Sequence, residues 1–175
     1  PLVEMITGLV FLIVWVTFGF SWLTVSAWVF ASVLIAVTFI DIEHYIIPDK
    51  VLLAGALVGL PFLAFQSLPG TAWGVAAGLG AGAFMLAIAI ISKGGMGGGD
   101  VKLAAFMGLF LGPKLAVLGL FLAFLIGGVI GIILLVSGKK GRKDAIPFGP
   151  YLALGGLLAL LQGTDIIHWY LGLWT

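Results

Sequence analysis

No charged residue interrupts the chain between Trp22 and Ile40, and apolar runs of similar length follow one another along the sequence. A helix needs about 20 mostly apolar residues to cross roughly 30 Å of hydrocarbon. Residues 2–20, 22–40, 51–66, 71–91, 114–137 and 148–162 meet or approach that length. Backbone amides cannot be left unpaired in lipid, so runs of this kind predict helices. The shorter apolar piece 101–111 cannot cross unaided and is closed by Gly112-Pro113. It reads either as a half-span or as the first half of a helical hairpin. The expected fold is all-α, a polytopic membrane helix bundle of about six spans plus a short half-span or interfacial helix. A composition of 62% hydrophobic and 9% charged residues leaves too little polar surface for a water-facing exterior.

Glycines recur at helical small-xxx-small spacing, in the sets Gly74, Gly78 and Gly82, Gly55 and Gly59, and Gly127 and Gly131. Such faces predict close helix packing. Neither a fixed-period repeat nor an inverted two-half pattern is visible. The first run has no basic leader region and no small-residue cleavage site, and reads as a mature span. Basic residues set the orientation. Lys50, Lys93, Lys102, Lys139, Lys140, Arg142 and Lys143 share one side if the odd spans run outward, and only Lys114 falls outside or at mid-depth. Positive charge marks that side as cytoplasmic. Lys139, Lys140, Arg142 and Lys143 read as topogenic residues or lipid head-group contacts.

Two of the seven acidic residues stand where lipid tolerates them least. Asp41 ends the run 22–40, and Asp100 closes Gly94-Gly95-Met96-Gly97-Gly98-Gly99-Asp100. A carboxylate at bilayer depth costs roughly 3 kcal/mol or more, so intramembrane acids are kept where they carry chemistry or ions. Continuation of the helix from Trp22 puts Asp41 in its last turn, facing an unfavourable macrodipole. That is a poor site for a structural acid and a good one for a protonatable catalyst. Asp49 follows Pro48 and precedes an apolar run, the place of a helix N-cap. Glu43 and His44 lie past the span and read as solvated. Asp100 reads equally as the N-cap of 101–111 after a flexible loop or as a catalytic acid. A phosphate-cradling loop lacks the following Gly-Lys-Ser/Thr, and Asp100 would repel the phosphate.

The same topology brings Asp41 and Asp100 to one end of the bundle. Two carboxylates that share a proton divide the work of hydrolysis, one acting as base toward water while the other protonates the carbonyl. Other hydrolytic apparatus is missing. Without cysteine the chain has no disulfide, thiol nucleophile or Cys-ligated zinc. The two histidines, His44 and His168, are too few and too far apart to build a metal site, and neither a Ser-His-Asp order nor His-Glu-x-x-His is present. No metal and no cofactor is expected.

Asp41-x-Glu43-x-x-x-Ile47-Pro48-Asp49 followed by Gly97-x-Gly99-Asp100 resembles the type IV prepilin peptidases, which belong to the wider class of intramembrane aspartyl proteases with a Gly-x-Gly-Asp motif. Lys102-Leu103 and Pro147-Phe148-Gly149-Pro150 match as well. The resemblance covers essentially the whole chain. It implies that Asp41 and Asp100 are the catalytic pair, with Glu43, Pro48, Asp49 and Lys102 as supporting motif residues. It also implies cleavage of the basic leader of prepilins or pseudopilins after a glycine, at the cytoplasmic face of the bacterial inner membrane. Glycine sterics would let the substrate backbone lie against Gly97, Gly98 and Gly99. The expected partners are those substrates and membrane lipid, not nucleic acid. Family members usually carry an upstream domain with paired cysteines associated with N-methylation. These residues, opening on Pro1-Leu2-Val3-Glu4, are expected to be the membrane portion of such a protein, cut away from it. Two rival readings are a small ion-coupled transporter or channel using the two acids as carriers, and a non-catalytic assembly protein held by its glycine faces.

Overall fold

The computed structural model describes residues 1–92, 95–138 and 146–172. Six helices follow one another: α1 (Leu2–Phe18), α2 (Trp22–His44), α3 (Asp49–Gln66), α4 (Leu68–Ile91), α5 (Gly98–Val136) and α6 (Gly149–Gly172). Among the described residues there is no strand. All but α1, which has 17 residues, are long and apolar enough to cross a membrane. Local chemistry sets several boundaries. Gly19, with φ 63°, ends α1, and the Ser21 hydroxyl accepts the Thr24 N–H at 3.2 Å to cap α2. The Ser67 hydroxyl caps α4 by accepting the Gly70 N–H at 3.1 Å.

The 101–111 piece proves to be one limb of a hairpin. Gly112 has φ 70° and ψ 178°, a non-helical break inside α5, and Pro113 after it cannot donate an amide to the preceding turn. The two limbs, 98–111 and 113–136, then run in opposite directions. Along α4, Gly74 packs on Leu109, Gly78 on Ala105 and Gly82 on Ala105 with Val101, an antiparallel register. Against the same helix, Trp73 shares a groove with Pro113 while Phe84 meets Phe124 edge to face, a parallel register. Met107 and Gly119 would be about 18 Å apart along a straight helix. Instead the Met107 Cε lies 3.3 Å from where a Gly119 Cβ would be. Lys114 at the hairpin tip is exposed and lines one cavity with Ser67 and Gly70, at the end of the bundle away from Asp41.

Phe30, Leu34 and Val37 of α2 pack with Leu103, Ala104, Phe106 and Met107 of α5, Met85 of α4 and Leu152 of α6 to form the core. Large apolar side chains such as Leu57, Leu79, Val117 and Phe121 face outward, as lipid permits. Of the small-residue faces, Gly74 and Gly78 of α4 meet the backbone of α5, whereas Gly55, Gly59 and Gly127 meet side chains and Gly131 meets nothing within 4 Å. Gly108 of α5 is another close backbone approach. A Cβ there would sit 2.6 Å from the backbone nitrogen and Cα of Gly78. Gly108→Val is therefore expected to force α4 and α5 apart and to destabilise the fold by on the order of 1–3 kcal/mol or more. Thermal unfolding in detergent checks this against Gly80→Val, whose Cβ meets nothing within 4 Å. Equal melting temperatures for the two variants would refute it.

Candidate active site at one end of the bundle

Helix α2 continues past the end of its apolar run to His44, because the hydrogen-bond ladder does not stop where hydropathy does. Tyr45 then ends it in a left-handed conformation, φ 56°, with its N–H donated to the Asp41 carbonyl at 2.9 Å. Asp41 thus lies in the last turn, as the sequence implies. Its side chain is only 5% exposed. Its surroundings differ from the expectation, however. Asp41 Oδ2 accepts the backbone N–H of Gly149 at 2.9 Å, so the carboxylate sits on the N-terminus of α6. The positive end of that helix offsets the unfavourable end of α2. A Cβ on Gly149 would lie 2.6 Å from the same oxygen, so the approach requires glycine at this position.

Asp100, 8% exposed, occupies the first turn of α5. It is not the N-cap. Gly97 holds that position, and Asp100 Oδ2 reaches back to accept the Gly97 N–H at 3.2 Å, half of a capping box. The glycines before it do three different things. The space beside Gly99 is filled by Ile47, whose Cβ lies 2.9 Å from where a Gly99 Cβ would be, and a Gly97 Cβ would meet Asp100 Oδ2 at 3.3 Å. Only beside Gly98 is there nothing within 4 Å.

Asp41 and Asp100, fifty-nine positions apart, line one cleft of about 320 Å³ together with Tyr45, Ile46, Ile47, Asp49, Lys102 and the three glycines. Asp49 does not cap α3 either. Pro48 is the N-cap, Asp49 is the first helical residue, and its carboxylate takes both oxygens to Lys102 Nζ, at 2.6 and 2.8 Å. Glu43 and His44 stay outside the cleft, both exposed, 4.0 Å from one another. Among the described residues no group of three His, Cys, Asp or Glu side chains converges as a metal site would. Lys93, Lys139, Lys140, Arg142 and Lys143 fall outside the described residues. Sequence reasoning missed Gly149 as part of the site. Its signal was present in Pro147-Phe148-Gly149-Pro150, which reads only as the opening of the last span until the Asp41 contact is seen.

The fold and the site define a multi-pass helical membrane protein with two buried aspartates facing a shared cleft at one end of its bundle. Residues 28–132 match the model of the type IV leader peptidase family. Over 176 aligned residues the chain is 38% identical to the prepilin leader peptidase/N-methyltransferase of Bacillus subtilis (strain 168), an alignment covering 98% of this chain and 69% of that protein. Proteins of the same name from Aeromonas hydrophila and Pseudomonas aeruginosa are 39% and 36% identical, each alignment covering 98% of this chain and 61% of the relative. The chain thus spans between three-fifths and seven-tenths of the length of these relatives. No solved structure matches it. The chain belongs to the type IV leader peptidase family, a family of peptidases.

Proposed function

We propose that this chain is a membrane endopeptidase that removes the basic leader of type IV prepilins or pseudopilins. It cuts after a glycine at the cytoplasmic face of the bacterial inner membrane, with Asp41 and Asp100 as its catalytic pair. One observation carries the reading: two buried carboxylates from distant parts of the sequence face a single cleft in a chain of the type IV leader peptidase family. In the proposed reaction one carboxylate takes a proton from water as its oxygen attacks the scissile carbonyl carbon, and the other protonates the carbonyl oxygen. Collapse of the tetrahedral species breaks the C–N bond, and the departing amine takes up a proton. The substrate's apolar helix lies among the spans while its charged leader stays in water. The open space beside Gly98 admits extended backbone, whereas the space beside Gly99 does not unless Ile47 moves. Membrane lipid is the other partner, and neither nucleic acid, metal nor cofactor enters the reaction.

Both acids lie at one end of the bundle, whereas a transporter built from repeats would hold its coupling acids near the midplane. Incubation of the purified protein with a prepilin in detergent tests the proposal, with mass spectrometry of the products. A single cut releasing the leader is expected; an uncut prepilin would sink the reading. The names of the relatives include methyl transfer. We assign only leader release to these residues, since the described ones hold no strand on which a Rossmann-type donor site could be built. A product one methyl group heavier in the presence of S-adenosylmethionine would contradict that assignment.

The proposed orientation is supported by Lys50 and Lys102 at the acid-bearing end and is testable without activity. The chain has no cysteine of its own. Single cysteines at Tyr45 and Gly95 are expected to be labelled from the cytoplasmic side, and one at Ser67 from the opposite side. Labelling of 45 and 95 from different faces would exclude a shared site.

A further inference from the structure

Asp41 and Asp100 stand on helices that meet only sparingly side by side. Phe30 stacks on Phe106 and Phe110 and joins α2 to α5 deeper in the bundle. That anchor is eleven residues from Asp41, about 16 Å along the helix. At the acid-bearing end two closer ties cross between these parts of the chain. One is Ile47 seated against Gly99. The other is the ion pair of Asp49 with Lys102.

We propose that Asp49 and Lys102 form a clamp that sets the separation of Asp41 and Asp100 by tying the turn after α2 to the first turns of α5. The proposal rests on the catalytic reading of the two acids. Asp49 opens α3 just beyond the turn in which α2 ends, and Lys102 lies two positions after Asp100. The pair joins segments 53 positions apart through two hydrogen bonds from one ammonium group. Its side chains are 66% and 55% exposed, so it contributes little to folding stability. What such a pair does supply is a tether, a charge-assisted contact that limits how far apart the two segments it joins can move. Both residues line the cleft, and their role is positioning, through the loop that carries Ile47 and the turn that carries Asp100.

The test uses the purified protein in detergent with a prepilin substrate. Lys102→Met and Asp49→Asn are each expected to lower kcat by roughly tenfold, since small misplacements of reacting groups are costly. KM should stay within about twofold, as a positioning role acts on the placement of the two acids and not on substrate binding. The double variant should be no slower than either single one, and Lys102→Arg, which can hold both oxygens, should retain kcat. Additive losses, a rise in KM at constant kcat, or a melting temperature that falls in step with activity would each overturn the clamp. A second measurement is independent of cleavage. Spin labels on cysteines at His44 and Met96 should give a longer or broader distance distribution in Lys102→Met than in its parent, and an unchanged distribution would also overturn the proposal. A parent protein that fails to cut prepilin while the distances respond as expected would refute the proposed function and leave the clamp standing.

Discussion

Asp41→Asn and Asp100→Asn are each expected to reduce prepilin cleavage by on the order of 10³-fold or more, because a positioned general acid or base contributes about 10²–10⁴-fold. Asparagine keeps the size of the side chain and one carbonyl oxygen. It can therefore still accept the Gly149 amide at position 41, or the Gly97 amide at position 100, and the fold should survive. What is lost is the titratable proton. Single-turnover cleavage in detergent, alongside thermal unfolding, separates lost chemistry from lost structure. Glu43→Gln supplies the comparison, since Glu43 is exposed and outside the cleft, and its activity should stay near that of the parent. A variant of either aspartate that cleaves within about tenfold of the parent would remove that acid from the proposed mechanism.

Gly149→Ala should produce the second large effect, a loss of roughly 10²-fold in kcat, the scale expected when a reacting group is displaced by about 1 Å. The backbone at Gly149 is not left-handed, so the added methyl group is the whole perturbation. That methyl would lie 2.6 Å from Asp41 Oδ2 and 3.1 Å from its carboxyl carbon, well inside van der Waals contact. Either the carboxylate turns away or α6 recedes, and in both cases the 2.9 Å bond from the Gly149 amide is lost. Helix content should be unaffected, because alanine is a good residue in the first turn of a helix. Parent-like kcat in Gly149→Ala would mean that the contact between α6 and Asp41 has no part in holding the acid.

The spans were legible because hydrocarbon applies a one-dimensional test, in which a run either is or is not long and apolar enough. The acids were legible because charge in lipid is costly enough to stand out against that background. Two other features depended on residues far away in the chain. Gly112-Pro113 guarantees a break, but whether the chain half-spans or doubles back is decided by Gly74, Gly78 and Gly82 of α4 receiving one limb and Gly155 of α6 packing on Gly119 of the other. Asp49 has the local signature of a cap, yet it pairs instead with Lys102, a cation that approaches only once α3 and α5 are side by side.

Length and hydropathy alone determined an all-helical membrane bundle, and the cost of burying a carboxylate singled out Asp41 and Asp100. Only the tertiary structure supplied the partners of those acids. Local spacing makes Asp41 the poorly placed end of its own helix, whereas the fold sets it at the favourable end of another, 108 positions away. The reason is physical: burial cost is a property of the residue and its segment, while a hydrogen-bond donor or a steric gap belongs to whatever the folded chain brings alongside.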